Sequence, residues 1–259
     1  MPQVAVSAQL IVYGGRQNDD LSGVLKELRD AGYDGAEIGT TFVDAPLDQV
    51  RGAFGDTGLR LSGIHGGYGQ VTDPDWQDKA IEFCGQMDCG FIICSGVAPG
   101  EGIAPYIDSA QAFNAFGRKC HGSGLTFCYH NHAWEFETFE GEKGIHKLCA
   151  LTDPEFVKLN VDVYWATVGG ENPAEFIDRY GDRVGYYHFK DGPYTAGGSV
   201  APGPYTFSEL GKGTVDLAGA LAAAARHDPQ WIVYEQDSSE LAPGEACRIS
   251  REHLKTLGV

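Results

Sequence analysis

The 259-residue sequence lacks features that would assign it to several common classes of protein. No apolar run approaches the roughly 20 residues that a helix needs to cross a bilayer, so we expect no membrane partner. Basic residues are scarce: 19 Lys and Arg stand against 36 Asp and Glu, which gives a formal net charge of -17. Because duplex binding needs Lys and Arg to displace counterions, we also expect no nucleic-acid partner.

The cysteines do not indicate a metal finger or a disulfide framework. There are seven of them, an odd number, and no CxxC pair occurs. We interpret them as small buried hydrophobic residues in a reducing cytosol. The first fifteen residues, MPQVAVSAQLIVYGG, have no basic start and no long apolar core, so they predict a first strand and not a signal peptide. The expected location is cytoplasmic.

What the sequence does contain is a regular alternation of strand and helix patterns. The predicted strands lie at 4–12, 33–39, 59–67, 90–96, 125–132, 155–162, 183–191 and 231–237. Helical patterns separate them, and Asp73 and Asn172, each followed by proline, are typical helix caps. Eight such units predict one domain over residues 1–259, a single (β/α)₈ TIM barrel of the α/β class. An open doubly wound sheet is the alternative, but no GxGxxG follows the first strand.

Four of the predicted strands end in residues that can bind a metal ion. LTFCYHNHAWEF carries His130, His132 and Glu135, FVKLNVDVYW ends near Asp162, VGYYHFKD carries His188, and WIVYEQD carries Glu235. In a closed parallel barrel the carboxyl ends of the strands converge. One histidine with several carboxylates suits a single divalent ion, with Mn²⁺ or Mg²⁺ favoured and Zn²⁺ or Co²⁺ as alternatives.

Side chains near these strand ends are candidates for acid-base work. His130 and His132 are two residues apart and share one face of their strand, so one could bind the ion and the other carry a proton or orient a ligand. Lys190 points to the same side as His188 and could bind a ligand oxygen or stabilise negative charge, or it could be a surface lysine.

The rim of the barrel offers further candidates. His65 closes the third strand in GIHGGYG, where it is either a pocket residue or a structural histidine in a turn. Trp134 and Trp165 could form an apolar wall for a ligand or be packed in the core. The long segment 192–214 leaves the seventh strand beside these residues and is interpreted as a loop that covers the substrate.

Several blocks of the chain resemble the sugar phosphate isomerase/epimerase family, the xylose isomerase-like barrels. The blocks are GYDGAEIG, YHNHAWEF, VDVYWATVGGENPAEFIDRYGDRV, YHFKD, GKGTVD and VYEQD, and they occur in that order over nearly the full length. The resemblance implies a divalent ion held by two Glu, one Asp and one His. Mapped onto this chain, the ligands are Glu135, Asp162, His188 and Glu235. His130 or His132 is the alternative to Glu135.

The resemblance also implies a reaction. The expected enzyme is a metal-dependent sugar isomerase or epimerase that removes a proton beside a sugar carbonyl through an enediolate. The catalytic candidates are Glu135, Glu235, His132, His130, Lys190 and His65. A metal-dependent lyase that cleaves 3-keto-glycosides by β-elimination is the alternative.

Two other classes of function are disfavoured. The family includes DNA-repair nucleases, and the charge of -17 argues against one here. A non-catalytic sugar-binding barrel would not need four ligand positions. The expected partner is a small sugar or keto-sugar, and a homo-oligomer stays open.

Overall fold

The computed structural model describes residues 4–194 and 206–259, and its strands form a closed parallel barrel. The strands are β1 (Ala5–Gln9), β2 (Gly35–Gly39), β3 (Arg60–Gly67), β4 (Phe91–Ser95), β5 (Thr126–His130), β6 (Val157–Asp162), β7 (Val184–Phe189) and β8 (Trp231–Tyr234). They pair in chain order, and β8 closes the barrel against β1. The predicted TIM barrel is confirmed.

In the described parts of the chain, seven main helices connect the strands and an eighth follows β8. They are α1 (Leu21–Ala31), α2 (Leu47–Thr57), α3 (Pro74–Gln86), α4 (Ala104–Gly122), α5 (Gly144–Leu151), α6 (Pro173–Tyr180), α7 (Leu217–Ala224) and α8 (Pro243–Thr256). The Asp73 side chain accepts the Asp75 N–H at 3.0 Å, and Asn172 accepts the Ala174 N–H at 2.9 Å. These contacts confirm the two predicted caps, which satisfy amide groups that a helix start leaves unpaired.

Short elements fill the connections. Helical turns lie at Leu10–Tyr13, Arg16–Asp19, Thr40–Asp44, Tyr68–Val71, Trp134–Phe136, Val163–Val168, Gly181–Arg183 and Ala225–His227, and a hairpin joins Thr138–Phe139 to Glu142–Lys143. The first strand is shorter than predicted because the Gln9 side chain accepts the Ile11 N–H and starts the turn at Leu10. The middle of the predicted covering loop, 195–205, lies outside the described residues.

Hydrophobic side chains pack on both faces of the barrel strands. The larger layer lies between barrel and helices, and the smaller layer consists of Phe91, Ile93, Cys128, Tyr186, Trp231 and Val233. All seven cysteines are buried and free, as predicted. Within the described ranges, no helix is long and apolar enough to cross a membrane.

The smaller layer fixes which residues reach the site. Side chains alternate across a strand, so the inward positions Cys128, Tyr186 and Val233 are followed two residues later by His130, His188 and Glu235. These three are buried as well. The polar side chains therefore continue an apolar interior column toward the carboxyl end of the barrel, where TIM barrels place their sites.

Candidate metal centre

Four buried side chains from four different strand ends converge. His130, Asp162, His188 and Glu235 each offer one ligand atom, and these atoms all lie within 4.8 Å of one another. Among residues 4–194 and 206–259, Asp162 Oδ2 has no hydrogen-bond partner, and His188 Nδ1 and Glu235 Oε2 contact only each other, without the geometry of an ordinary hydrogen bond. Because an unpaired buried polar atom costs about 1–3 kcal/mol, the group fits a bound cation that would take up these atoms.

His188 is held between two carboxylates. Its Nδ1 contacts Glu235 Oε2, and its Nε2 lies 2.8 Å from Glu37 Oε2. Burial alone would lower the pKa of His188, but Glu37 and Glu235 outweigh it and raise the pKa to about 10. Donation from Nε2 to Glu37 would leave the lone pair of Nδ1 for an ion, which is the usual arrangement of a histidine ligand and its carboxylate partner.

Glu37 is one of two site residues that sequence reasoning missed. It is completely buried in β2, and its second oxygen, Oε1, lies 2.9 Å from His65 Nδ1. Burial opposes ionisation, yet the facing His188 and His65 lower the pKa of Glu37. The available signal was an acidic residue inside an otherwise small and apolar strand, GAEIG.

Asp162 uses its two oxygens for two purposes. Oδ1 accepts the N–H of Trp165 at 2.8 Å and starts the helical turn after β6, while Oδ2 faces the cluster 3.8 Å from Lys190 Nζ. Burial raises the pKa of Asp162 to about 7, and Lys190 partly offsets this effect. A nearby cation would favour its charged form still further.

His130 is oriented by a neighbouring amide. Asn160 Nδ2 lies 3.3 Å from His130 Nδ1, and Asn160 Oδ1 has no partner within the described chain. A half-turn of this amide would let Oδ1 accept the Nδ1–H of His130 and leave Nε2 free to bind an ion. Burial lowers the pKa of His130, which favours the neutral, ligating form.

Lys190 is a buried cation beside the cluster. Its Nζ lies 2.9 Å from Asp237 Oδ2 and 3.6 Å from Glu235 Oε1. The rings of Trp165 and Phe207 each have their centres 5.0 Å from this nitrogen. Burial opposes the charge, but Glu235, Asp162 and Asp237 outweigh it and raise the pKa of Lys190. Asp237 was not among the predicted site residues.

Glu135 lies outside the cluster, although the resemblance mapped it as a ligand. After β5 the chain turns into the 3₁₀ helix Trp134–Phe136, and this turn directs both carboxylate oxygens to local donors. Tyr129 donates its hydroxyl to Oε1 at 2.6 Å, and the His132 N–H donates to Oε2 at 2.7 Å. The fifth-strand position in the cluster is occupied by His130, the alternative that the sequence left open.

His132 lies on the wall of the pocket above the cluster. Its ring stacks on Trp134 with centres 4.0 Å apart and lies 5.5 Å from Trp165. Burial, together with Lys190, lowers the pKa of His132 to about 3, so this side chain is neutral at physiological pH. Trp134 itself remains 41% exposed.

The pocket itself opens at the carboxyl ends of the strands. Its volume is about 380 Å³, and its lining includes His65, His130, His132, Glu235 and Asp237. A larger cavity of about 850 Å³ lies at the opposite end of the barrel against Arg60 and Trp231, away from these groups. The smaller pocket is the one that can bring a ligand to the cluster.

Solved structures share this fold. A sugar phosphate isomerase/epimerase from Parabacteroides distasonis ATCC 8503 aligns with a TM-score of 0.82 at 19% identity, over 98% of this chain and 94% of its own. The IolI protein, whose structure contains a zinc atom, aligns with a TM-score of 0.74 at 15% identity, over 98% of each chain. At such identities the likeness concerns the fold.

Sequence comparison adds a curated relative and a family. The inosose dehydratase of Geobacillus kaustophilus (strain HTA426) is 25% identical over 286 aligned positions, which span 93% of this chain and 91% of the relative. Residues 25–257 match the sequence pattern of the xylose isomerase-like TIM barrel family. The chain therefore belongs to the xylose isomerase-like TIM barrel family, as its sequence blocks predicted.

Proposed function

We propose that this chain is a metal-dependent enzyme that removes the proton beside the carbonyl of a keto-sugar or keto-cyclitol and then eliminates water. The observation that carries the proposal is the cluster of His130, Asp162, His188 and Glu235, four buried side chains whose ligand atoms lie within 4.8 Å of one another. A divalent ion there would stabilise negative charge that develops on substrate oxygens.

The protein side chains would do the remaining work. His132 lies on the pocket wall, and this position makes it a side chain that would accept the carbon-bound proton. The stacked ring of Trp134 fixes the plane of His132 and offers an apolar face to the ring of the substrate. Lys190, held by Asp237, would donate hydrogen bonds to a substrate oxygen as negative charge builds up there.

The loss of water is favoured by the curated relative. The Geobacillus protein is an inosose dehydratase, and it aligns along 93% of this chain. The isomerase or epimerase predicted from the sequence shares the first step and differs only in where the proton returns. Epimerisation needs a second proton carrier on the other side of the carbon that is inverted. Glu235 and Asp237 on the pocket lining could serve as that carrier.

Product analysis would separate these outcomes. The Mn²⁺-loaded protein would be incubated with an inosose and, separately, with a 3-keto-glycoside, and products would be followed by mass spectrometry and NMR. We expect the inosose to lose one water. A product of unchanged mass with an altered stereocentre would favour the epimerase, and release of the glycosidic alcohol would favour the glycoside lyase. The proposal would be contradicted if the protein released neither water nor the glycosidic alcohol and changed no stereocentre.

A further inference from the structure

Two neutral polar residues lie on the side of the pocket that the first strands build. Asn18 belongs to the helical turn after β1, and Thr41 belongs to the helical turn after β2. Both are exposed and line the 380 Å³ pocket, whose lining also includes His130 and Glu235 of the cluster. A ligand that fills this pocket therefore contacts the cluster and these two turns together.

A single hydrogen bond joins the two turns. Thr41 donates its hydroxyl to Asn18 Oδ1 at 3.0 Å. The amide oxygen of Asn18 is thereby engaged, so the Nδ2 group is the part of this side chain that can donate to a ligand, while Thr41 Oγ1 keeps lone pairs that can accept. A donor and an acceptor side by side match a hydroxyl group, which can accept and donate at once.

The pocket offers little positive charge to an anionic ligand. Its lining, within the described part of the chain, contains no Lys or Arg. Arg16, in the turn after β1, pairs with Glu27 at 2.7 Å. Lys190 is held by Asp237 at 2.9 Å. The sequence at 195–205, TAGGSVAPGPY, supplies no basic residue either. Tight binding of a phosphate ester depends on cationic groups or free backbone N–H groups.

The glycine pair on the lining does not form a phosphate cradle. Gly66 and Gly67 precede the short turn Tyr68–Val71, and free N–H groups at the start of a helix are a common phosphate site. Here the Gly67 N–H already donates to Gln70 Oε1 at 3.1 Å. The acidic side chains on the same lining would also repel a phosphate ester.

We infer that Asn18 and Thr41 determine specificity: they bind one hydroxyl of an uncharged, polyhydroxylated ring and disfavour the phosphate ester of the same compound. The inference rests on the proposed function. Asn18 Nδ2 donates to the hydroxyl and Thr41 Oγ1 accepts from it, whereas a phosphate dianion offers acceptors only. Because the pair holds the ring in the ground state and in the transition state alike, it acts on KM and leaves kcat nearly unchanged.

A series of substrates tests the pair. The Mn²⁺-loaded wild-type protein and Asn18→Ala would be given inosose and monodeoxy inososes that each lack one hydroxyl other than the one that leaves. We expect Asn18→Ala to raise KM for inosose about threefold to tenfold at nearly unchanged kcat, the effect of one neutral hydrogen bond. For one monodeoxy compound the wild-type KM should already be raised, and Asn18→Ala should add nothing, because the partner hydroxyl is missing.

Two further variants complete this comparison. Thr41→Val removes the hydroxyl that joins the turns, so it should raise KM for inosose and add nothing for the same monodeoxy compound. Gln49→Ala is the matched control, because Gln49 is an exposed amide on α2 that does not belong to the pocket lining. It should leave KM and kcat unchanged for every compound.

The phosphate ester tests the charge preference. Its phosphate would replace the hydroxyl that the monodeoxy series identifies. We expect the wild-type kcat/KM for the ester to be about 100-fold or more below that for inosose, because the like charges on the lining oppose it. Asn18→Lys should recover about tenfold of this loss, since a charge-assisted hydrogen bond to the phosphate then replaces a neutral donor.

Each outcome decides a separate point. If Asn18→Ala and Thr41→Val leave KM unchanged, or raise it equally for every compound, the pair does not determine specificity. Equal wild-type kcat/KM for inosose and its ester would overturn the preference for an uncharged ring. If the wild-type protein removes water from no compound of the series, the proposed function fails, and the inference fails with it.

Discussion

Single residues in this site serve structural and chemical purposes at once. Asp162 combines a helix cap with a place in the cluster: Oδ1 starts a helical turn, and Oδ2 faces the cluster. Glu37 likewise contacts His188 and His65 with separate oxygens. A substitution at such a residue therefore changes local structure and site chemistry together.

The choice between His130 and Glu135 as the fifth-strand ligand gives a matched pair of variants. We expect His130→Gln to weaken Mn²⁺ binding by about 100-fold or more, since even partners outside the ligand set are worth about 10–100-fold. Glu135→Gln should leave binding nearly unchanged, because both Glu135 oxygens already accept local hydrogen bonds. Titration calorimetry with Mn²⁺ measures both. The reverse ranking would restore Glu135 as the ligand.

Binding of the ion should release protons. Without metal, the pKa of His188 is raised to about 10 by its two carboxylate neighbours, so Nδ1 carries a proton at pH 7–9 that an ion must displace. The affinity should therefore rise with pH, about tenfold per unit for one displaced proton. Below pH 7, Asp162 should add a second proton, because its pKa is raised to about 7.

Calorimetry in buffers of different ionisation enthalpy counts these protons. We expect about one proton per ion at pH 8 and more than one at pH 6. An affinity that is constant from pH 6 to 9 would contradict the proposed role of His188.

Whether a site residue could be predicted from the sequence depended on its position in its strand. His188 and Glu235 follow apolar runs at strand ends, and that position alone predicted their convergence. Glu37 lies inside a strand, where the ladder shifts register between Ala36 and Glu37. Asp237 follows β8 in a loop. Alternation could not assign Glu37, whose role depends on the histidines that it meets across the barrel. Asp237 shares the parity of Glu235 but lies beyond the observed end of β8, where its contact with Lys190 places it in the site.

At the scale of elements, the alternation of strand and helix was enough to predict the barrel. The predicted strand at 59–67 is observed as Arg60–Gly67, and the predicted strand at 155–162 is observed as Val157–Asp162. The path after β5 was not predictable in the same way. The turn of Trp134–Phe136 depends on Glu135 meeting Tyr129, a contact made only when β5 is already in place.

The segment after β7 is anchored by one carboxylate. Asp191 accepts backbone N–H groups from Gly192, Gly211, Gly213 and Val215 at 2.9–3.1 Å. Asp191→Asn replaces one accepting oxygen with a donor. If that oxygen is Oδ2, the hydrogen bonds from the Gly211 and Gly213 N–H groups are lost. We expect a loss of about 3 kcal/mol in the free energy of unfolding, since hydrogen bonds to charged groups contribute about 1.5–3 kcal/mol each.

Urea unfolding and hydrogen exchange would test this anchor. In Asp191→Asn, exchange at Gly211 and Gly213 should accelerate more than exchange in β7. Asp216→Asn is the control, because Asp216 only caps α7 by accepting the Gly219 N–H at 2.9 Å and Asn caps helices about equally well. Unchanged exchange at Gly211 and Gly213 in Asp191→Asn would show that the segment is held by other contacts.

The whole molecule combines an acidic surface with a buried, partly compensated cluster of charge. The net charge of -17 repels polyanions and attracts divalent cations. Inside, the carboxylates of Glu37, Asp162 and Glu235 face His188 and Lys190. An ion at this place would complete the charge balance and stabilise the folded state by its binding energy.

The most direct test of the central claim is deuterium exchange at the carbon beside the carbonyl. An inosose in D₂O would be followed by NMR with Mn²⁺-loaded protein, with chelator-treated protein and with Asp162→Asn. We predict that the loaded wild-type protein incorporates deuterium at that carbon and that removal of the ion or of the Asp162 charge abolishes incorporation. Exchange at an equal rate in all three samples, or its absence from the loaded wild type with the inosose and other keto-sugars, would contradict the account.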